Sequence, residues 1–485
     1  MKSIRVFMIV LVAFAALELL ALNWRAQGAS DDPPGLAEEL KKVRELAENA
    51  LSEARQARSE AQSLRTELAS IRGTVQIPQA ADNSTTQAGD RISRLEEQVE
   101  INSERIKEQS QSKVESDSRF PVRISGMLLA NFHYNSDDIQ RSEPLFAPSP
   151  VAAPSGGTFG STFRQTRLGL AINGPKALGG RTSGEIEFDF YGGTVGQVEG
   201  DVLGALRIRT AAVRVDWDRS SLVIGQEAPV ISPRNPTSIA AVWYPPLSGA
   251  GNLWQWHPQI TYEHRFRAGE KQELIARGGY VAPFGESYSG LPTRGSPAVE
   301  GRFAYRHSLD EERMVEIGFG GHFDTRSFDY GRSVDGYVAS GDWLLPIGSR
   351  IEMSGELYHG RSITLSEQSG GRIDRAYAFA GPPENPYTLV RGVRSSGGWL
   401  QLTAKARRDL EFNLAYGQED PDNSDLRFGQ VTDFTRFKNQ VGSVNFIYQL
   451  RPNFLISLEY RRLLTDYSPG RNRSNHVNLA FGYVF

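Results

Sequence analysis

The chain has 485 residues, enough for a large core or for more than one domain. Its net charge of -3 at pH 7 excludes a strong electrostatic attraction to nucleic acid. The absence of cysteine excludes disulfide bonds and thiolate metal sites.

The first 28 residues have the layout of a secretory signal peptide. An uncharged apolar run over 6–17 follows a basic start, and small residues at Ala26 and Gly28 fit cleavage after Gly28. The alternative is an uncleaved membrane anchor, but Glu18 leaves the run shorter than the roughly 20 residues of a spanning helix. We therefore predict a signal peptide over 1–28 and export to the cell envelope.

Residues 29–118 are predicted to form a periplasmic coiled coil in two segments, joined by a polar linker over 73–90. In the first segment the apolar positions are spaced alternately by four and three residues, and the flanking positions are polar. The second seam is weaker and contains Asn102, a polar residue of the kind that fixes register and oligomer number. The seams predict an oligomer without giving its number of subunits. The first seam consists of Leu36, Leu40, Val43, Ala47, Ala50, Ala54, Ala57, Ala61, Leu64, Leu68 and Ile71.

From residue 119 to residue 485 the helical period gives way to short segments in which apolar and polar residues alternate. In "GEIEFDFYG", for example, acidic and apolar residues take turns. Successive side chains of a strand point to opposite faces, so each segment has one apolar face and one polar face. There are about 16 such segments. They lie near 121–134, 162–174, 181–192, 204–217, 220–227, 257–267, 271–282, 297–308, 313–326, 332–345, 349–362, 394–407, 409–419, 437–450, 453–465 and 474–485.

The connections between these segments alternate between long and short, with 327–331 as the one weak case. Outer-membrane barrels have long loops outside and tight turns on the periplasmic side. A soluble sandwich, which is the alternative for any single amphipathic strand, has no reason to follow this rule. We therefore predict an all-β transmembrane barrel of about 16 antiparallel strands, preceded by an α-helical coiled coil. Apolar faces would meet lipid, and charged faces would meet a water-filled lumen.

The final segment, "NHVNLAFGYVF", places an apolar residue at every second position and ends on Phe485. We expect this residue to meet the lipid interface. Such an ending resembles the signal read by the bacterial barrel-assembly machinery, which is therefore an expected partner during biogenesis. Five aromatic residues fall near predicted strand ends, as an aromatic girdle requires: Trp217, Trp343, Trp399, Tyr448 and Tyr460.

In the strand over 204–217 the alternation slips between Ala211 and Ala212. A β-bulge there would keep Arg207, Arg209 and Arg214 directed inward. Without a bulge, some of these arginines would face lipid at a cost of about 2–4 kcal/mol each near the midplane.

Many inward positions carry arginine. Clustered on one wall, these residues would favour anions, and arginine grips carboxylates with two hydrogen bonds. The alternative is a neutral wall of ion pairs, because the third strand is acidic and both of its neighbours are basic. Candidate pore-lining and substrate-binding residues are Arg167, Arg207, Arg209, Arg214, Arg234, Arg302, Arg306, Lys405 and Arg407.

The third long connection, 228–256, contains five prolines, which restrict the shapes that it can adopt. We predict that this loop folds into the barrel and narrows the channel. The alternative is an ordinary external loop.

The stretches "FRQTRLGLAI", "GEIEFDFYGG", "LRIRTAAVRVDW", "LVIGQ" and "HPQITYEHRF" resemble the DcaP-like trimeric porins and, more distantly, the phosphate-selective porins. The resemblance covers most of the chain and is strongest over 163–266. It implies a periplasmic coiled coil joined to a 16-stranded barrel, a homotrimer, and passage of organic anions including dicarboxylates. The third loop departs from the family, since "GQEAPVISPRNPTS" replaces a Trp-containing sequence.

The sequence therefore predicts an outer-membrane porin for small hydrophilic solutes, with organic anions such as dicarboxylates as the expected cargo. The alternative is a structural tether that links the outer membrane to the periplasm or cell wall through the coiled coil. No nucleophile elbow and no His-Glu-x-x-His motif occurs, so we predict no enzyme activity, no cofactor and no metal site. The expected partners are small solutes, outer-membrane lipid and further copies of the chain, but no nucleic acid.

Overall fold

The computed structural model describes residues 122–136, 147, 157–192, 204–242, 245–254, 256–282, 294–295, 297–363, 376–433 and 435–485. The predicted signal peptide over 1–28 and coiled coil over 29–118 lie outside these residues. No helix in the described part is long and apolar enough to cross a membrane. The strands are β1 (Val122–Asn135), β2 (Thr158–Thr162), β3 (Arg167–Ala177), β4 (Gly180–Asp189), β5 (Arg207–Asp216), β6 (Ser220–Glu227), β7 (His257–Arg267), β8 (Gln272–Val281), β9 (Arg294–Gly295), β10 (Ala298–Ser308), β11 (Met314–Phe328), β12 (Arg332–Ile347), β13 (Ile351–Arg361), β14 (Tyr377–Phe379), β15 (Val390–Gly392), β16 (Arg394–Arg407), β17 (Leu410–Pro421), β18 (Arg436–Arg451), β19 (Phe454–Tyr467) and β20 (Gly470–Val484), with a 3-10 turn at Asp329–Gly331 and one short helix, α1 (Asn423–Phe428).

Sixteen antiparallel strands close into a barrel. Successive strands pair with each other, and β1 pairs with both β3 and β20, which closes the sheet. The short strand β2 and the longer β3 together form one barrel strand with a kink over 163–166. In the same way, the short β9 and β10 both pair with β11 and together form one barrel strand. β14 and β15 form a separate hairpin in the connection between β13 and β16. The predicted closed barrel of about 16 strands is confirmed.

The polarity of the barrel is the reverse of that of a soluble protein. On β10 and β11 the aromatic residues Phe303 and Phe319 point outward and are 72% and 69% exposed. The intervening Glu300, Arg302 and Glu316 point inward and are buried. A belt of exposed apolar side chains on the outer surface suits contact with hydrocarbon, as the alternation predicts.

A β-bulge interrupts the pairing of β4 with β5. Glu187 lies opposite Thr210 and Phe188 lies opposite Ile208, so that Arg209 is the extra residue on β5. The predicted bulge is confirmed, but it lies two to three residues nearer the start of the strand than the sequence pattern indicates.

Because of the bulge, the apolar residues of β5 before it and after it lie on the same face of the barrel wall. Ile208 and Val213, five residues apart, both point outward and are exposed, while Arg209 and Arg214 both point inward. On the outer surface the side chain of Gln226 donates to the carbonyl oxygens of Ile208 at 3.2 Å and Arg209 at 2.9 Å. The backbone groups that the bulge removes from the ladder are therefore satisfied by a neighbouring side chain.

Candidate functional site: the lumen and its inserted loop

The loop over 228–256 lies inside the barrel and is bound to carboxylates on the inner wall. The backbone N–H of Val230 donates to Glu300 on β10 at 2.7 Å. The backbone N–H of Leu253 donates to Glu356 on β13 at 3.0 Å. Both carboxylates are fully buried, at 1% and 0% exposure. The wall thus satisfies backbone groups that an irregular loop cannot pair by itself.

Amide side chains of the wall take the same role elsewhere along the loop. Gln401 on β16 accepts from the N–H of Thr237 at 2.7 Å, and Asn445 on β18 donates to the carbonyl of Thr237 at 2.9 Å. Gln165, in the kink before β3, accepts from the N–H of Val242 at 2.6 Å and donates to a second loop carbonyl at 3.0 Å. The loop therefore reaches wall elements from β3 to β18, and the prediction that it folds inward is confirmed.

Apolar contacts also fix the loop to the wall, and they correct one prediction. Trp399 on β16 is 2% exposed and points into the lumen, so its assignment to the aromatic girdle is wrong. The loop supplies apolar partners inside the barrel, which the strand periodicity does not reveal. Three clusters join loop and wall: Leu247 and Ala250 with Trp399, Ala415, Val441 and Leu463; Ile231 and Leu253 with Val338, Tyr358 and Ile363; and Ile239 and Val242 with Met127, Leu129 and Ala480.

The loop approaches the wall most closely at Gly251. Its φ of +102° lies in a region that favours glycine. A Cβ atom at this position would be only 2.0 Å from the carbonyl oxygen of Gly398 on β16. Both the backbone angle and the available space therefore require glycine here.

One side of the lumen, around β3, β4 and β5, is lined by basic side chains. Arg207 binds both carboxylate oxygens of Asp189, at 3.0 Å and 2.5 Å. Arg209 contacts Glu187 and lies 2.9 Å from Asp189, while Arg167 lies 3.6 Å from Glu187. The predicted pairing of the acidic strand with both basic neighbours is thus confirmed. We call the set of Arg164, Arg167, Arg207 and Arg209 the arginine wall.

Aromatic rings contact three guanidinium groups of the arginine wall. Arg164 lies over the ring of Tyr191 at 4.5 Å, and Arg209 lies over the ring of Trp256 at 4.3 Å, with Arg207 at 5.2 Å from the same ring. Such stacking stabilises a cation. The sequence patterns did not single out Arg164, Tyr191 or Trp256. Arg164 and Tyr191 fall inside the predicted segments 162–174 and 181–192, but in the structure all three residues lie just outside a strand, where alternation does not give the direction of a side chain. Their only sequence signal is that they adjoin inward-facing strand positions.

A second cluster forms where Arg234 of the loop meets β10, β11 and β12. Arg234 lies 2.8 Å from Glu316. Arg302 donates to the same carboxylate at 2.8 Å and binds both oxygens of Asp342, at 2.8 Å and 2.7 Å. Arg306 donates to the other oxygen of Glu316 at 2.8 Å. Three of the candidate pore residues thus converge on one carboxylate.

The remaining candidate residues lie apart from these clusters. Arg214 on β5 donates to Glu227 on β6 at 2.7 Å. Lys405 and Arg407 are exposed at the end of β16 that leads into the short turn to β17. Arg407 pairs with Asp409 in the adjoining turn at 3.1 Å, and Lys405 has no ion pair within the described residues. The structure does not bring these two residues to the other candidates.

Ion pairing is therefore the rule along the inner wall, as the neutral-wall alternative requires. The arginine wall departs from this rule because, within the described residues, it holds four guanidinium groups beside the two carboxylates Glu187 and Asp189, which pair with Arg167, Arg207 and Arg209. A concave surface with an excess of one charge raises the local concentration of ions of the opposite sign.

A cavity of about 560 Å³ lies between the arginine wall and the loop. Arg167, Arg209 and Glu187 line one part of it, and loop residues such as Ile239 and Val242 line another. This volume is within the range of sites that hold small organic molecules.

Several solved structures have a fold similar to that of this chain. The fold is similar to that of the outer membrane channel DcaP of Acinetobacter baumannii, with a TM-score of 0.59 and 17% identity, over 76% of this chain and 99% of that chain. The chain has the porin fold. A second porin, the anion-selective porin from Comamonas acidovorans, is similar with a TM-score of 0.51 and 12% identity, over 76% of this chain and 100% of that chain. No protein-family model and no curated protein sequence matches the chain. The resemblance inferred from the sequence is confirmed at the level of the fold.

Proposed function

We propose that the protein is an outer-membrane porin through which small organic anions, including dicarboxylates, diffuse or are taken up. The porin fold and the outward apolar belt support placement of the barrel in the outer membrane. The predicted coiled coil over 29–118 would then lie in the periplasm and assemble a homotrimer.

The excess of positive charge on the arginine wall carries the proposed preference for anions. Arg167 is 35% exposed at its side chain, and its contact with Glu187, at 3.6 Å, is the longest in the set. Of the three arginines that pair with Glu187 or Asp189, it is therefore the one most open to a passing carboxylate. Arg209 lines the same cavity, so the two ends of a dicarboxylate would each meet an arginine there. The resemblance to DcaP-like porins supports the same solute class.

Conductance of the purified full-length protein in a planar lipid bilayer tests this function. We expect open channels, and a reversal potential in a KCl gradient that has the sign for chloride preference. Replacement of both Arg164 and Arg167 by glutamine should lower that preference. Replacement of Lys271 and Arg408, which are exposed in periplasmic turns, by glutamine removes the same charge and should leave it unchanged.

Two results would contradict the proposal. A cation-selective reversal potential in the wild-type protein would exclude the anion preference while leaving a channel. Absence of any conductance would instead favour the tether, in which the barrel only anchors the coiled coil.

A further inference from the structure

The outer surface of β18, β19 and β20 carries a group of basic residues near the extracellular end. Their side chains point away from the lumen, because their strand neighbours, such as Arg461, Leu463 and Ser474, are buried inside. In the strand register, outward positions form three rows of three: Lys438, Asp466 and Arg471; Gln440, Leu464 and Arg473; Gly442, Arg462 and Asn475. We call the four cations Lys438, Arg462, Arg471 and Arg473 the outer basic patch.

Acidic partners neutralise only half of the outer basic patch. Lys438 lies 3.0 Å from Asp420, and Arg471 lies 2.9 Å from Asp466. Within the described residues, Arg473 has no hydrogen-bond or ion-pair partner on its side chain. Within the same residues, the side chain of Arg462 has only a neutral partner, Asn475, at 2.7 Å. The patch therefore carries an excess of two positive charges on the outside of a barrel.

Tyrosine hydroxyl groups mark the level at which these charges lie. The hydroxyl of Tyr460 donates to Asn475 at 2.8 Å, and Arg462 donates to the same oxygen at 2.7 Å. The tyrosine ring itself points outward, one row nearer the centre of the barrel wall, next to apolar residues such as Leu458 and Val477. Tyrosine rings in membrane proteins lie at the level of the lipid headgroups. Arg462 and Arg473 therefore lie at or just above the headgroups of the outer leaflet.

The positions of the two unneutralised arginines suit a bound phosphate. Arg473 pairs with Leu464, two residues beyond Arg462 on β19, so the two arginines are diagonal neighbours at roughly 7–8 Å. Arginine side chains are long enough for two residues at this backbone spacing to bind one phosphate from two sides, each with two hydrogen bonds. Cations on the lipid-facing surface would otherwise face a cost that rises toward the midplane.

We propose that the outer basic patch binds the phosphate group of an anionic lipid in the outer leaflet. The lipid would sit with its headgroup between Arg462 and Arg473 and its acyl chains along the apolar belt below Tyr460. Lys438 and Arg471 would attract the phosphate electrostatically while each keeps the ion pair with its own carboxylate. This role is independent of what passes through the lumen.

Native mass spectrometry of the full-length protein in detergent tests the proposal, with bisphosphorylated lipid A as the probe. We expect wild-type protein to retain this lipid, and to retain dephosphorylated lipid A about tenfold less or not at all. Replacement of Arg462 and Arg473 by glutamine should weaken retention of the phosphorylated lipid about tenfold or more, since each loses a charge-assisted contact. The Lys271 and Arg408 double glutamine variant, with the same charge change at the other end of the barrel, should retain it as the wild type does.

Three outcomes would overturn the proposal. One is equal retention by wild-type protein of the phosphorylated and dephosphorylated lipids, a comparison that needs no variant to fold. Another is an equal loss of phosphorylated lipid A retention in the patch variant and in the control variant. The third is efficient crosslinking between protein copies through a photoreactive residue at position 473, which would show that a second copy of the chain covers the patch.

Discussion

If the protein is the proposed channel, replacement of Glu316 by glutamine is expected to shift its ion selectivity toward anions. This carboxylate accepts hydrogen bonds or ion pairs from Arg234, Arg302 and Arg306, each at 2.8 Å. Glutamine keeps the shape and one acceptor oxygen but removes one negative charge. Arg234 and Arg302 then keep Asp342 as a partner, and Arg306 keeps Glu273 at 3.8 Å. The positive charge that Glu316 no longer compensates acts on passing ions.

The size of the effect follows from Coulomb's law. An ion that passes within about 6 Å of the lost charge, at an effective dielectric constant of about 40–80, changes its energy by about 0.7–1.4 kcal/mol. This corresponds to a change of about three- to tenfold in the permeability of each ion, upward for chloride and downward for potassium, so their ratio changes by about ten- to a hundredfold. Because the Debye length falls from about 10 Å at 0.1 M salt to about 3 Å at 1 M, the effect should shrink at high salt.

Reversal potentials in planar bilayers at both salt concentrations measure this change. Asp310, in the short turn between β10 and β11, provides the matched control, because its replacement by asparagine removes the same charge outside the lumen. A permeability ratio for the Glu316 variant equal to that of the control would refute the reasoning, and so would a shift toward cations. The heat-dependent electrophoretic mobility typical of folded barrels verifies that the variant is folded.

Three further predictions concern the loops and their anchors. Replacement of most of the loop over 228–256 by a short Gly-Ser linker should raise single-channel conductance several-fold, since the loop occupies the lumen; unchanged conductance would show that the loop does not limit flow. Trp399→Ala should lower the free energy of unfolding by about 3–5 kcal/mol, measured by urea titration in detergent micelles, because it leaves a cavity beside Leu247. Burial raises the pKa of Asp425 in α1, but hydrogen bonds from Arg394 outweigh this and hold the pKa below its usual value. The stabilisation of α1 by this ion pair is therefore fully present above about pH 4 and is lost as the pH falls through the lowered pKa. In Arg394→Gln the pKa of Asp425, measured by NMR titration, should be higher than in the wild type.

The strands and their facing could be predicted because alternation is a local property of the sequence. The predicted bounds 257–267 and 394–407 coincide with those of β7 and β16. The bulge in β5 could also be predicted, because the alternation of apolar and polar residues breaks within this strand and a regular strand would direct arginine into lipid. Its position was displaced because small residues such as Ala211 and Ala212 fit either face.

The contents of the lumen could be predicted only in part. Strand facing showed that Arg302 points inward, but it gave no indication that Arg234, on a loop far away in sequence, meets it at Glu316. Trp399 illustrates the same limit, since its partners come from that loop. Contacts of this kind depend on how an irregular segment returns to the wall, and no periodicity in the sequence records such a path.

The bulge in β5 makes the length of that strand matter more than its composition. A conservative replacement at Thr210 or Ala211 keeps every neighbour on its present side. Deleting one residue between 208 and 212 would reverse the facing of one half of the strand. Either Arg207 and Arg209 would then point outward and lose Asp189, or Arg214 would point outward and lose Glu227. Natural variation in this strand should therefore consist of exchanges of residue type at constant length.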